Sequence, residues 1–95
     1  MYIAIYSAFF SSTSIAYIKT VVDYLNSNNH KFILIDRLKK YLEKDGRKYS
    51  YFNDNKVLDK KVDFLFSVGG DGTLLRSISV IRNTYIPILV SMQVD

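Results

Sequence analysis

Hydrophobic positions along this chain follow two alternating rhythms. Tyr2 to Tyr6 is a short apolar run with two Ile, the pattern of a buried strand. It runs on toward Ser11-Ser12-Thr13-Ser14, a cluster of hydroxyls suited to capping a helix. From there Ile15, Ile18, Val21, Val22 and Leu25 recur at helical spacing, and Asn26-Ser27-Asn28-Asn29 stops the helix. Lys31 to Ile35 reads as a second strand. A short helix is expected from Asp36 to about Lys44, with Leu38 and Leu42 on one face and an Asp45-Gly46 turn closing it. Arg47 to Lys61 is polar and ambiguous, offering at most a short strand at Tyr49 to Phe52. Val62 to Val68 predicts a strand that enters Gly69-Gly70-Asp71-Gly72-Thr73 directly. A helix is expected to begin near Thr73, with helical spacing from Leu74 to Arg82. A last strand, Ile86 to Val90, is opened by Pro87.

Strands alternating with helices at this pace predict βαβ units, and therefore α/β architecture with one open, mostly parallel sheet. No repeat, low-complexity tract or linker interrupts the pattern. A length of 95 residues suits one small domain rather than two. A domain of that size hides only a little over ~60% of its unfolded surface, so its stability margin is thin.

Composition narrows the functional classes. Cys is absent, so there is no disulfide framework and no thiolate metal site, which fits a cytoplasmic location. The longest apolar stretches fall well short of the ~20 residues needed to cross a bilayer. The opening MYIAIYSAFF has neither a basic n-region nor a small-residue cleavage site. The formal net charge of +4 comes mostly from Lys and Arg between Lys31 and Lys61. These are interleaved with Asp36, Glu43, Asp45, Asp54 and Asp59, the pattern of a solvated face rather than of a nucleic-acid-binding stripe.

The chemistry lies in Ser67-Val68-Gly69-Gly70-Asp71-Gly72-Thr73-Leu74-Leu75-Arg76. Strand, glycine turn and helix together form a geometry in which backbone N–H groups converge on an anion. Glycines let the backbone adopt φ > 0 and approach a phosphate with no Cβ in the way. The following helix aims its first N–H groups and positive dipole end at the same place. Asp71 is the odd member, because a carboxylate beside a phosphate cradle needs a task. Three are open: general base toward a hydroxyl, ligand to Mg²⁺, or N-cap of the helix. Arg76, one turn past the glycines, is either a ligand contact or an ordinary surface residue. His30 reads as a solvated loop or strand-edge residue, and the Tyr and Phe at strand positions as core. A Walker A loop is excluded because no Lys-Ser/Thr follows the glycines. The dinucleotide fingerprint is excluded because Leu75 occupies the place of its third glycine.

GGDGT after a hydrophobic strand resembles the superfamily of NAD kinases, diacylglycerol kinases and phosphofructokinases. FSVGGDGTLLRS is similar to the NAD kinase version, and the resemblance runs from Tyr2 to about Leu89, a Rossmann-like N-terminal domain. It implies ATP-dependent phosphorylation of the 2′-hydroxyl of NAD's adenosine ribose, with a divalent metal such as Mg²⁺. Asp71 matches the family's proton acceptor, Asp71 with Gly72 an NAD-contacting pair, and Arg76 a basic NAD-contacting position. Gly69, Gly70 and Thr73 complete the phosphate-facing turn. The resemblance also implies a homo-oligomer with no nucleic-acid or membrane partner. Two alternatives stand beside it: a lipid or sugar kinase sharing GGDGT, and a nucleotide-binding module without catalysis.

After Ile86-Pro87-Ile88-Leu89 the family continues Gly-Ile-Asn-(Thr or Ala)-Gly-Arg-Leu-Gly and then a β-rich C-terminal domain. Here the text is Val90-Ser91-Met92-Gln93-Val94-Asp95. One base lost from an encoding GGT ATC AAT GCA GGT AGA TTA GGT yields Val-Ser-Met-Gln-Val-Asp and a stop. The expectation is therefore a family-like domain over 1–89 and a frame-shifted tail over 90–95, with little or no kinase activity from the chain alone. Resequencing across the codons for Leu89 and Val90 tests it.

Overall fold

A computed structural model describes residues 1–43, 46–53, 58–59, 61–82 and 84–91, with Asp71 described by its backbone. Lys44 and Asp45 of the expected helix end and turn, and Met92–Asp95 of the expected tail, lie outside the described residues. Five strands form one sheet: β1 (Tyr2–Tyr6), β2 (Lys31–Ile35), β3 (Tyr51–Phe52), β4 (Phe64–Val68) and β5 (Ile88–Ser91). Their order is β3-β2-β1-β4-β5, and every described pairing is parallel.

Helix α1 (Ser12–Ser27) begins and ends for local reasons. Ser11 is its N-cap: the Ser14 N–H donates to Ser11 Oγ at 3.1 Å, and the Ser11 N–H donates to Ser14 Oγ at 2.8 Å. This is a reciprocal capping box with Ser in place of the usual Glu. At the other end Asn29 adopts φ +59°. The His30 N–H reaches back to Leu25 O at 2.9 Å and the Asn29 N–H to Asn26 O at 3.3 Å. That is a Schellman stop with Asn where Gly is usual. Between the caps Ile18, Val22 and Leu25 are buried, the apolar stripe expected of an amphipathic helix.

Beyond β2 the expected single helix is split. A 3₁₀ turn over Asp36–Leu38 hands over to the one-turn helix α2 (Lys39–Leu42). Leu38 and Leu42 are both buried, so the apolar face was read correctly and only the winding differs. The ambiguous polar stretch contributes β3, a two-residue strand against Leu34 and Ile35. β4 starts at Phe64 rather than Val62, and β5 at Ile88 rather than Ile86. Pro87 precedes β5, and its carbonyl accepts from the Leu65 N–H at 2.9 Å.

Helix α3 (Asp71–Val80) lies on the face opposite α1. Phe66 meets Tyr17 of α1, with ring centroids 6.5 Å apart, whereas the next residue, Ser67, meets Ser77 of α3 at 2.9 Å. Successive strand residues point to opposite faces, so the two helices sandwich the sheet, as right-handed crossovers running in opposite directions from β1 require. The core lies in the two layers between: Ile3, Ile5, Leu34, Ile18 and Val22 are among its buried members, as are Leu65 and Val80. No described helix is long and apolar enough to cross a membrane.

Candidate functional site

In an open parallel sheet, ligands bind beyond the carboxyl ends of the strands, where the strand order reverses. Here the chain leaves β1 toward β2 on one side and returns to β4 on the other. The switch point therefore lies between the loop after Tyr6 and the loop after Val68. The sequence places the glycine turn at that spot.

Gly69 is required by its backbone and by its neighbour. Its φ is +139°, a region that side chains rarely occupy. A Cβ there would lie 2.7 Å from Thr73 Oγ1. The Gly69 N–H donates to Ser91 O of β5 at 3.1 Å, which fixes the turn to the sheet. Gly70 is exposed, and a Cβ on it would meet nothing within 4 Å. It occupies the N-cap position of α3, and its carbonyl accepts from the Thr73 and Leu74 N–H groups at 3.1 and 3.2 Å.

The helix start differs from the expectation, and Thr73 gains a contact that the sequence did not show. The helix begins at Asp71 instead of near Thr73, so the cap position falls on Gly70 and Asp71 takes the first helical position. Moreover Thr73 faces inward. It is buried, and its Oγ1 accepts from the Ala8 N–H at 3.4 Å, joining the β1–α1 loop to the glycine turn. Beneath it a buried hydroxyl pair steadies the helix. Ser77 Oγ donates to Thr73 O at 2.8 Å, so its single proton is committed. The proton in the 2.9 Å Ser67–Ser77 contact must then come from Ser67.

A crevice of about 430 Å³ opens at the switch point, bounded by Phe9, Phe10, Ser11, Gly69, Gly70 and Thr73. That volume lies within the range of ~300–1,000 Å³ typical of small-molecule sites. Arg76 is exposed, and its guanidinium lies 5.1 Å from the centroid of the Phe9 ring. The structure thus brings Gly69, Gly70 and Thr73 together around one crevice, with Gly72 and Arg76 beside its rim. His30 is half-buried just ahead of β2, away from the glycine turn in the strand order. Phe9 was missed by sequence reasoning, which read the Tyr and Phe at strand positions as core and singled out no aromatic in the loop after Tyr6. The available signal was its position: a Phe pair in a loop directly after a strand, where functional side chains concentrate.

Next to the crevice, at the ends of β1 and β2, lies a larger cavity of about 780 Å³. It shares Phe10 with the crevice and adds Arg37, Lys39, Lys40, Asp36 and Glu43. Glu43 is held in place: Tyr51 OH donates to its Oε2 at 2.5 Å and the Tyr49 N–H donates at 3.3 Å. The Tyr51 hydrogen bond keeps the Glu43 carboxyl below the usual range, against some opposing desolvation. Burial first, and Glu43 second, push the Tyr51 hydroxyl up. Among the described residues no three His, Cys, Asp or Glu side chains converge as a metal cage.

A wholly parallel sheet in this order, with a glycine turn at its switch point, defines a Rossmann-like α/β domain. The chain belongs to the NAD kinase family of enzymes: a profile described as the ATP-NAD kinase N-terminal domain matches residues 11–92. The chain is similar to the NAD kinase of Flavobacterium johnsoniae, 34% identical over 95 residues, covering 94% of this chain and 31% of that protein. The NAD kinase of Flavobacterium psychrophilum is 35% identical over 92 residues, and that of Christiangramia forsetii 33% over 92, with the same shares. The chain therefore spans about a third of the length of these relatives.

Proposed function

We propose that this chain supplies the glycine-turn half of an NAD kinase site, which phosphorylates the ribose 2′-hydroxyl of NAD at the expense of ATP. One observation carries the reading: a glycine turn with one positive-φ residue opens directly into a helix N-terminus at the sheet's switch point. Phosphate groups are favoured there by convergent N–H groups and by the helix dipole.

In this reading Gly69, Gly70 and Gly72 keep Cβ atoms away from the phosphates, and Thr73 braces the turn from below. Asp71 takes the 2′-hydroxyl proton. The ribose oxygen then forms its bond to the γ-phosphorus as the bond to the β–γ bridging oxygen breaks, releasing ADP. Arg76 offers its guanidinium to NAD. A divalent ion such as Mg²⁺, carried on the donor's phosphates, would supply neutralisation of the charge there, and such an ion is seldom held by an all-protein cage. The neighbouring cavity, with Arg37, Lys39 and Lys40 at its wall, suits the remainder of a second nucleotide. Cytoplasmic action and assembly into a homo-oligomer belong to the same proposal.

Titration of the purified chain with NAD, followed by calorimetry, tests this reading. Weak binding that is lost in Asp71→Ala supports it. Binding unchanged by that substitution, or no binding to a folded chain, overturns the placement of NAD on this turn. Phosphoryl transfer needs donor, metal and acceptor positioned together, and this chain spans about a third of the length of the relatives it matches. The expected NADP formation by the 95-residue chain is therefore negligible, and a measurable rate refutes that expectation.

A further inference from the structure

Phe9 is 60% exposed. A lone exposed apolar residue is ordinary; Phe9 is distinguished by what its ring touches. The ring lies against Gly72, where a Cβ would come within 3.1 Å of Phe9 Cε2. The Arg76 guanidinium lies 5.1 Å from the ring centroid. Gly72 and Arg76 are four residues apart on α3, so they share one face of its first turns. The ring thus docks on the face of α3 that continues from the glycine turn. The preceding residue, Ala8, donates to Thr73 Oγ1 on the same element. The β1–α1 loop therefore grips α3 twice, by a hydrogen bond at the crevice floor and by an aromatic contact at its rim.

We propose that Phe9 is a positioning residue, whose ring holds the Arg76 guanidinium at the rim of the crevice before an anionic ligand arrives. The inference rests on the nucleotide reading above and extends it to a residue outside the glycine motif. An exposed Arg samples many rotamers, and a ligand that recruits it must freeze them. A guanidinium already stacked on a ring loses less freedom on binding. The attraction needs the π face and not merely the bulk of the side chain, because it arises from the ring quadrupole. Gly72 lets the ring sit this close, since a Cβ at that position would meet Phe9 Cε2 at 3.1 Å and the ring would have to give by a few tenths of an ångström.

The test compares Phe9→Leu, Phe9→Tyr, Arg76→Ala and the double variant Phe9→Leu/Arg76→Ala in the 95-residue chain, with NAD as the probe. Phe9→Leu keeps bulk and removes the π face, and is expected to weaken NAD binding about two- to fivefold, the worth of an exposed cation–π contact. Phe9→Tyr retains wild-type affinity. The double variant binds no more weakly than Arg76→Ala alone, because the two residues act through one contact. Equal affinity of Phe9→Leu and wild type, with Arg76→Ala weakened, overturns the proposal; so do fully additive effects. A second measurement needs no ligand. The Arg76 δ-methylene protons should be shifted upfield by the ring in wild type and Phe9→Tyr, and not in Phe9→Leu. If wild type fails to bind NAD, the nucleotide reading falls, and the NMR shift alone decides whether Phe9 holds Arg76. No upfield shift in wild type overturns the contact itself.

Discussion

At the scale of single residues, two adjacent glycines in one short motif have different reasons to be glycine. Gly69 combines φ +139° with a Thr73 hydroxyl 2.7 Å from any added Cβ. Gly69→Ala should therefore destabilise the fold by about 1–3 kcal/mol, the range for a residue forced into a sparsely populated backbone region. Gly70 has ordinary negative φ and open space around it. Gly70→Ala, at the N-cap of α3, should cost no more than about 1 kcal/mol, because Ala caps a helix less well than Gly. Its Cβ would also intrude where a phosphate is expected, so NAD binding should weaken by more than the denaturation midpoint accounts for. Denaturant titration and NAD titration of the two variants separate the roles, and a shared response would refute the distinction. The sequence identified the motif but could not apportion these roles, because φ and the identity of the facing atom depend on the fold around the turn. For the same reason the sequence could not show that Thr73, which lines the crevice, also accepts from the Ala8 N–H through its Oγ1.

At the scale of elements, legibility followed locality. Both ends of α1 were readable because their stop and start signals lie in adjacent residues. Ser11→Ala, which removes one half of the reciprocal cap, should cost about 1 kcal/mol within a range of roughly 0.5–2. Thermal or chemical denaturation of that single variant checks it. The stretch after α2 was unreadable because its order comes from residues six and eight apart: Glu43 accepts from the Tyr49 N–H and from Tyr51 OH. That tether makes a prediction with two signs. The Glu43 carboxyl is lowered in the fold, chiefly by Tyr51, so its contribution is present above the unfolded value of ~4.3. It fades as pH falls through the lower folded value. The Tyr51 hydroxyl is raised, so its contribution is complete below ~10 and is lost as pH climbs toward the folded value. Tyr51→Phe removes the bond at both limits. The stability difference between wild type and Tyr51→Phe should be largest between those two limits and shrink at both. A difference independent of pH would show that the hydrogen bond contributes nothing beyond packing. Because Glu43 is only half-buried, solvent screening should keep the effect at the acid end small.

At the scale of the molecule, the alternation of strands and helices predicted a parallel α/β sheet, but not which strand would stand at its edge. Strand order depends on which way each crossover turns, and local patterning is the same for either turn. The order found puts β5 at one edge with Leu89 and Val90 about half exposed. Leu89 also closes a small apolar groove with Ile3, Val21, Leu25, Phe64 and Phe66. Nearby in the chain, Leu75 and Ile78 on the outer side of α3 are largely exposed. An edge strand flanked by apolar side chains is a template for pairing with another chain, and a second copy of this chain offers the identical edge. Two such edges related by a twofold axis would pair antiparallel and bury Leu89 and Val90 of both copies. The purified chain is therefore expected to sediment faster as its concentration rises. Val90→Lys places a charge on that edge, one of the ways natural sheets blunt it, and should bring the chain back toward the monomer. A sedimentation coefficient that does not change with concentration in wild type would remove β5 as an association seam. If wild type associates and Val90→Lys associates equally, the seam lies elsewhere, with the exposed face of α3 the next surface to mutate.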